Sequence, residues 1–177
     1  MDDRPPEAFE AALAALRRKE RSVAELTAWL ERRGHAHDRV EAALAGLIEA
    51  GELDDERFAR RYAADKRALR GWGSERIREA LAARGIPDRL IAAALRDDPA
   101  AAQVERASEL LVRRGRPLAG EADRARALGF LTRRGYDYEI AYEAIRLARP
   151  AGHLYDPGAT DGRPEDANYQ LSETFDP

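Results

Sequence analysis

The 177-residue chain contains no cysteine. Disulfides, thiolate nucleophiles and cysteine-based zinc sites are thereby excluded, and the absence fits a reducing compartment. Lysine is scarce as well: of 30 basic residues only Lys19 and Lys66 are not arginine. Aromatic residues make up 7%. No apolar run approaches the ~18 residues of a membrane-spanning helix. The opening Met-Asp-Asp-Arg-Pro-Pro leads into no apolar stretch of the kind a secretory signal carries. No glycine-rich loop ends in Lys-Ser or Lys-Thr, and no Gly-x-Ser-x-Gly occurs, so neither a phosphate cradle nor a serine elbow is written in the chain. The expectation is a soluble, cytoplasmic, monomeric protein that is not an enzyme, with no cofactor, no metal and no membrane contact.

What the chain does have is charge and periodicity. Charged residues make up 36% and apolar residues 44%. That much charge suits a thin helical array, which has more surface per residue than a globule. Three Arg-Gly pairs, Arg33-Gly34, Arg84-Gly85 and Arg134-Gly135, place glycines 51 and 50 residues apart. Around each the same apolar pattern returns. Leu30, Leu81 and Leu131 lie four before the glycine, Val40, Ile91 and Ala141 six after, Ala43, Ala94 and Ala144 nine after, and Leu44, Leu95 and Ile145 ten after. Such a period marks supersecondary units, each too small to bury its apolar face alone.

Nearly every segment before Pro150 has the 3.6-residue spacing of a helix. The first helix spans about 6–18, with Phe9, Leu13 and Leu16 inward. Ser22 N-caps a second with Glu25 completing a capping box, Val23, Leu26, Trp29 and Leu30 inward, and Gly34 at the stop. A third runs from about Asp38 to Gly51. In the second unit Asp54 caps a helix to about Arg70 with Phe58, Tyr62 and Leu69 inward. Gly71-Trp72-Gly73 forms a turn, Ser74 caps the next helix, and Pro87 opens another. Helices near 99–114, 121–134 and 138–148 complete a third unit, with Gly115 an ordinary helix stop out of phase with the repeat. The fold class is therefore all-α: three tandem three-helix repeats, 1–52, 53–98 and 99–149, in an elongated curved array, followed by an acidic, disordered tail over 150–177.

Two clusters look chemical and read more simply as structure. Asp54-Asp55-Glu56 is dense in carboxylate, but consecutive helical residues diverge by about 100°, so they suit a cap and a helix dipole rather than a metal. His35 and His37 fall in a turn, without the spacing or the companion ligands of a metal site.

Charge is divided along the chain. From Pro150 onward six acids face one arginine, a net −5, which leaves the first 149 residues at +2. Residues 57–89 hold ten Arg or Lys against four Asp or Glu. Arg57, Arg60, Arg61 and Arg67 fall on one face of their helix, and Arg70, Arg76 and Arg78 continue the zone. Such a stripe contacts phosphates or an acidic protein groove, or is a solvated face laced with i,i+4 pairs. Trp72 between two glycines either stacks on a base or fills a partner pocket, or, more commonly, folds back over a helix joint. The acidic tail is suited to repel DNA or to mask the basic zone.

Leu53-Asp54-Asp55-Glu56-Arg57-Phe58-Ala59, then Arg67, Gly71-Trp72-Gly73, Arg76-Ile77, Leu81 and Arg84-Gly85-Ile86, resembles the signature of the RecX family of regulatory proteins. The resemblance covers about residues 7–148 and is looser in the third unit. It implies a bacterial protein of three three-helix repeats that binds the RecA recombinase filament and modulates it. The usual effect is inhibition of strand exchange and ATP hydrolysis, with consequences for DNA repair, recombination and the SOS response. Some members bind single- or double-stranded DNA weakly. Arg57, Arg60, Arg61, Arg67, Arg70, Trp72, Arg76 and Arg78 are the candidate contacts for partner or DNA. A non-specific helical nucleic-acid-binding protein without a recombinase target is the alternative, and a scaffold for acidic client peptides a weaker one.

An elongated array predicts a radius of gyration in small-angle scattering well above the ~16 Å expected for a compact globule of this length. A value at the globular figure would exclude it.

Overall fold

The computed structural model describes residues 7–148, and every described element is a helix: α1 (Glu7–Arg18), α2 (Val23–Arg32), α3 (His37–Glu49), α4 (Asp55–Arg70), α5 (Ser74–Ala82), α6 (Asp88–Leu95), α7 (Ala100–Arg114), α8 (Glu121–Thr132) and α9 (Tyr138–Leu147). The tail expected to be disordered lies outside the described residues.

Close helix packing falls within three groups, α1–α3, α4–α6 and α7–α9. Each group has its own core. Leu26, Leu30, Val40 and Leu47 fill the first, Phe58, Ile77, Leu81 and Ile91 the second, and Leu111, Leu131, Ile140 and Ala144 the third. All twelve positions of the periodic pattern are buried, because the repeat in sequence is the repeat of these cores. Ser22 forms its capping box with Glu25, and Asp54 accepts from the backbone N–H groups of Glu56 and Arg57.

Four expectations change. In α1 the buried line is Ala8, Ala12 and Ala15, while Phe9, Leu13 and Leu16 flank it, partly covered. The small residues let α1 lie close to α3, where the ring of Phe9 sits 3.2 Å from the point a Cβ on Gly46 would occupy. Trp29 is half-buried, held between the guanidinium groups of Arg21 and Arg33. Leu69 is 78% exposed, because Ala59 and Ala63 turn the inward face of α4 away from it. Gly73, not Ser74, is the N-cap of α5, since the Ser74 hydroxyl donates to Asp98 Oδ2 at 3.0 Å.

The Arg-Gly loops share one geometry. Gly34, Gly85 and Gly135 have φ of 86°, 74° and 85°. At each, the N–H groups of the glycine and of the residue after it close back onto the helix. Ile86 N donates to Leu81 O and Gly85 N to Ala82 O, with matching pairs at Leu30 and Leu131, the Schellman stop. The loops also join the units. The N-terminus of the middle helix of one unit docks onto the Arg-Gly loop of the next. At the first joint Ser22 Oγ donates to Arg84 O at 2.6 Å, Arg84 Nη1 pairs with Glu25 at 2.8 Å, and Val23 N donates to Asp55 Oδ1 at 2.9 Å. Burial pushes the Asp55 carboxyl above its ordinary range, against the lowering effect of that hydrogen bond. At the second joint Gly73 N donates to Arg134 O at 2.8 Å and Glu75 N to Gly135 O at 3.1 Å.

A Cβ on Gly85 would collide with the Ala24 side chain, whereas one on Gly34 would meet nothing within 4 Å. Gly34→Ala should therefore cost only the ~1–2 kcal/mol of a left-handed non-glycine residue. Gly85→Ala should cost measurably more in urea unfolding, and Ala24→Gly should recover part of the excess. Equal losses at the two glycines would show that the loop of the second unit carries no joint.

Candidate functional site

The candidate arginines separate into three environments. Arg57, Arg60, Arg61 and Arg78 are exposed but partnered. Arg57 Nη2 donates to Gly51 O at 2.8 Å, Arg60 pairs with Glu56 at 2.6 Å, Arg61 with Glu20 at 2.6 Å, and Arg78 with Glu75 at 3.6 Å. Their charge is largely neutralised locally, as an i,i+4-laced face would have it.

Arg67 does not share their solvated face. Its side chain is only 16% exposed, with Nε 3.1 Å from the Asp98 carboxylate and Nη2 donating to Ala94 O at 3.3 Å. The Nε–H vector misses the carboxylate, so the contact is an ion pair without a hydrogen bond at that nitrogen. The physical reason is the helical position: Arg67 lies one turn beyond Ala63, on the flank of the core. Asp98, 3% exposed, also accepts from Arg106 Nη2 at 2.9 Å and from Ser74. It is the electrostatic centre of the second joint, gathering α4, α5 and α7.

Arg70, Trp72 and Arg76 do come together, at the rim of a cleft of about 730 Å³ between the second and third units. Lys66, Phe130, Arg133 and Arg134 complete its charged and aromatic lining, and no acidic side chain lines it among the described residues. Trp72 is half-buried between Lys66 and Arg76, whose guanidinium carbon stands 4.4 Å from the ring centre. Arg134 and Arg114 flank Phe130 in the same way, at 4.6 and 4.3 Å. Instead of pairing with carboxylates, Arg76 donates to Arg133 O at 2.9 Å and Arg134 to Arg70 O at 2.6 Å. Beneath them the buried Tyr136 hydroxyl donates to Gly71 O at 3.2 Å. Burial raises the Tyr136 phenol above the usual tyrosine range, which keeps it a donor.

One residue explains why this joint is basic and the first is not. At the third position of the middle helix the first unit has Glu25, which neutralises Arg84, and the second has Arg76. A cation in the first turn opposes the helix dipole, and here it faces a second arginine-rich loop. The turn chemistry exposed Arg70, Trp72 and Arg76 to sequence reasoning. Phe130, Arg133 and Arg134 escaped it, because they meet the others only across the joint, and Lys66, one turn before Arg70 on α4, was not among the candidates. The signal was present in the third Arg-Gly loop, which is preceded by a further arginine, Arg133.

The described residues form an all-helical repeat with a basic cleft, and no candidate metal cluster occurs among them. The sequence profile of the second three-helix domain of RecX matches residues 54–95. The regulatory protein RecX of Thermus thermophilus is 41% identical over 150 residues, spanning 84% of this chain and 97% of that protein. The regulatory protein RecX of Mycolicibacterium smegmatis is 32% identical over 151 residues, covering 81% of this chain and 80% of its own. The crystal structure of RecX from Lactobacillus salivarius superposes with a TM-score of 0.73 at 21% identity, over 80% of this chain and 94% of that one, which establishes the shared fold. The chain belongs to the RecX family of regulatory proteins. Among the described residues no helix is long and apolar enough to cross a membrane.

Asp98→Ala would strand Arg67 and Arg106 in a buried site, a loss of about 3–5 kcal/mol for breaking such a pair. Arg60→Ala on the exposed face should change stability by no more than about 0.5 kcal/mol. Urea unfolding of both variants checks this. A loss at Asp98 no larger than that at Arg60 would exclude Asp98 as the centre of the joint.

Proposed function

We propose that this protein binds the RecA recombinase filament and restrains its strand exchange and ATP hydrolysis, acting in the cytoplasm as a monomer without a cofactor. Family membership supports a regulatory role. The observation that carries the docking reading is the cleft of unpaired cations with two half-open aromatic rings. A nucleoprotein filament presents phosphates, bases and acidic subunit surface. The cleft offers cations for the first, rings on which a base stacks, and a local excess of positive charge that steers the encounter. The domains take different parts in this reading: the second and third units supply the contact, and the first extends the array.

A second reading, non-specific nucleic-acid binding without a recombinase, draws on the same aromatic and basic lining. Naked single-stranded DNA distinguishes the two.

Lys66, Arg70 and Arg133 line the cleft with no side-chain hydrogen bond to the protein among the described residues, so reversing them should leave the fold intact. Lys66→Glu, Arg70→Glu and Arg133→Glu together should weaken co-sedimentation with the RecA filament at least ~10-fold and flatten its salt dependence. The partnered pair Arg60→Glu and Arg78→Glu should have little effect. Equal binding of the wild-type protein to naked DNA and to the filament would favour the second reading. Undiminished filament binding by the triple reversal would move docking to another surface.

A further inference from the structure

The chain joins its units by one repeated contact, a helix start seated on an Arg-Gly loop, and each end of the array carries one half of that contact. We propose that the protein associates with itself end to end: the start of α8 in one copy docks on the Arg33-Gly34 loop of the next, as the start of α2 docks on the Arg84-Gly85 loop within a single chain. This goes beyond the regulatory reading and does not depend on it.

The first observation is the loop of the first unit. Gly34 has the left-handed φ of the two loops that form joints, and its turn closes with the same pair of bonds, Gly34 N to Glu31 O and His35 N to Leu30 O. At the joints a helix start fills the seat over the glycine. A Cβ on Gly85 would collide with Ala24, and one on Gly135 with the Arg76 backbone. Over Gly34 the same point has nothing within 4 Å. The Arg134 and Gly135 carbonyls accept N–H groups from α5, whereas the Arg33 and Gly34 carbonyls accept none among the described residues. Arg33 and Gly34 are both exposed.

The second observation is the start of α8, the third unit's counterpart of the starts of α2 and α5. Its N-cap is Gly120, as Gly73 is for α5. Its second residue is Ala122, where α2 has Ala24, the small side chain seated against Gly85. Its third is Asp123, where α2 has Glu25, the carboxylate that pairs with Arg84 at 2.8 Å. Gly120 and Ala122 are exposed, and the Ala122 N–H has no backbone partner among the described residues. In the register of the internal joints, the Gly120 and Ala122 N–H groups meet the Arg33 and Gly34 carbonyls of the next copy. Ala122 then fills the space over Gly34, and Asp123 meets Arg33. Asp123 already holds Arg126 at 2.6 Å, and a carboxylate accepts two guanidinium groups, as Asp98 does with Arg67 and Arg106. Helix start and loop therefore match in shape, in hydrogen-bonding sense and in charge.

Within one chain the joint closes at an effective concentration on the order of millimolar. Between copies that advantage is lost, so dilute protein is monomeric and the contact forms when copies are concentrated or held in a row. The two halves are different surfaces at opposite ends of the array, which makes the contact heterologous. Each copy that docks presents a new free end, and growth does not stop at two.

Sedimentation equilibrium of the full chain alone tests this. Between about 10 μM and about 1 mM, a range that reaches the effective concentration of the internal joints, the weight-average mass should rise from that of a monomer past that of a dimer. Arg33→Glu and Asp123→Arg each set like charges together at the contact, and each alone should weaken association at least ~10-fold. Mixed in equal amounts, the two variants should regain it, because Asp123 of one then meets Arg33 of the other. Ala122→Val, which puts a branched side chain over Gly34, should abolish it. A monomer at the highest concentration, growth that ends at a dimer, or wild-type association by Arg33→Glu or Ala122→Val would overturn the proposal. So would a mixture of the two charge variants, both folded by circular dichroism, that stays monomeric. Arg33 lies on an exposed loop, so Arg33→Glu decides the matter by itself if Asp123→Arg does not fold. Since no recombinase is present, none of these results bears on the regulatory reading.

Discussion

A helix leaves its last carbonyls and its first amides without partners, and this molecule is assembled by bringing the two kinds of orphan together. The left-handed glycine of each Arg-Gly loop turns the chain so that the carbonyls around it point outward. At the second joint the Arg134 and Gly135 carbonyls receive the N–H groups of Gly73 and Glu75 from the start of α5. At the first the Arg84 carbonyl receives the Ser22 hydroxyl, while Ser22 in turn caps its own helix. Each unit thus completes the helix termini of its neighbour. The glycine is fixed twice over, by its φ and by the close approach of the docked helix, which at Gly135 leaves no room for a side chain beside Arg76. Gly34, at the free end, keeps the conformation without the crowding.

The same joint carries the charge pattern. Where the middle helix presents a carboxylate, as Glu25 does, the loop arginine is neutralised and the joint is purely structural. Where it presents Arg76, the loop arginines and their neighbours are left uncompensated, and the aromatic rings of Trp72 and Phe130 take the place of counter-ions by cation–π contact. Beneath that surface Asp98 absorbs Arg67 and Arg106 in a buried cluster. Positive charge at this joint is therefore sorted by depth: internal arginines belong to Asp98, and external ones face solvent.

The helices, their caps and the threefold repeat were legible in the sequence because each follows from local rules. Ser22 with Glu25, Asp54, and the glycines after Leu30, Leu81 and Leu131 all signal within a few residues of where they act. Burial on alanine-rich faces was less legible. In α1 and α4 a period of leucine and phenylalanine pointed to one line, while close packing favoured the smaller alanines beside it. The cleft was half legible. Arg70, Trp72 and Arg76 lie on one stretch of chain, but their partners Phe130, Arg133 and Arg134 are about sixty residues away. Arg67 misled because helical spacing assigns it a face without revealing that Asp98 waits beyond α6. The relation that joins these residues, docking of one unit's helix start on the next unit's loop, is a property of the stacked array and of no single segment.

Separate cores also decide the order in which the chain acquires its structure. Every substantial helix–helix contact closes within about fifty residues of sequence, a low contact order that favours rapid folding. During synthesis the first unit has all of its own core residues once Leu53, just past α3, has been added, and it can collapse before the second is complete. Its contacts with the next unit must wait: the Val23 N–H for Asp55, Glu25 for Arg84, and the Ser22 hydroxyl for a carbonyl 62 residues downstream. The nascent protein therefore grows as a succession of finished modules, each leaving one docking end open for the module still being made.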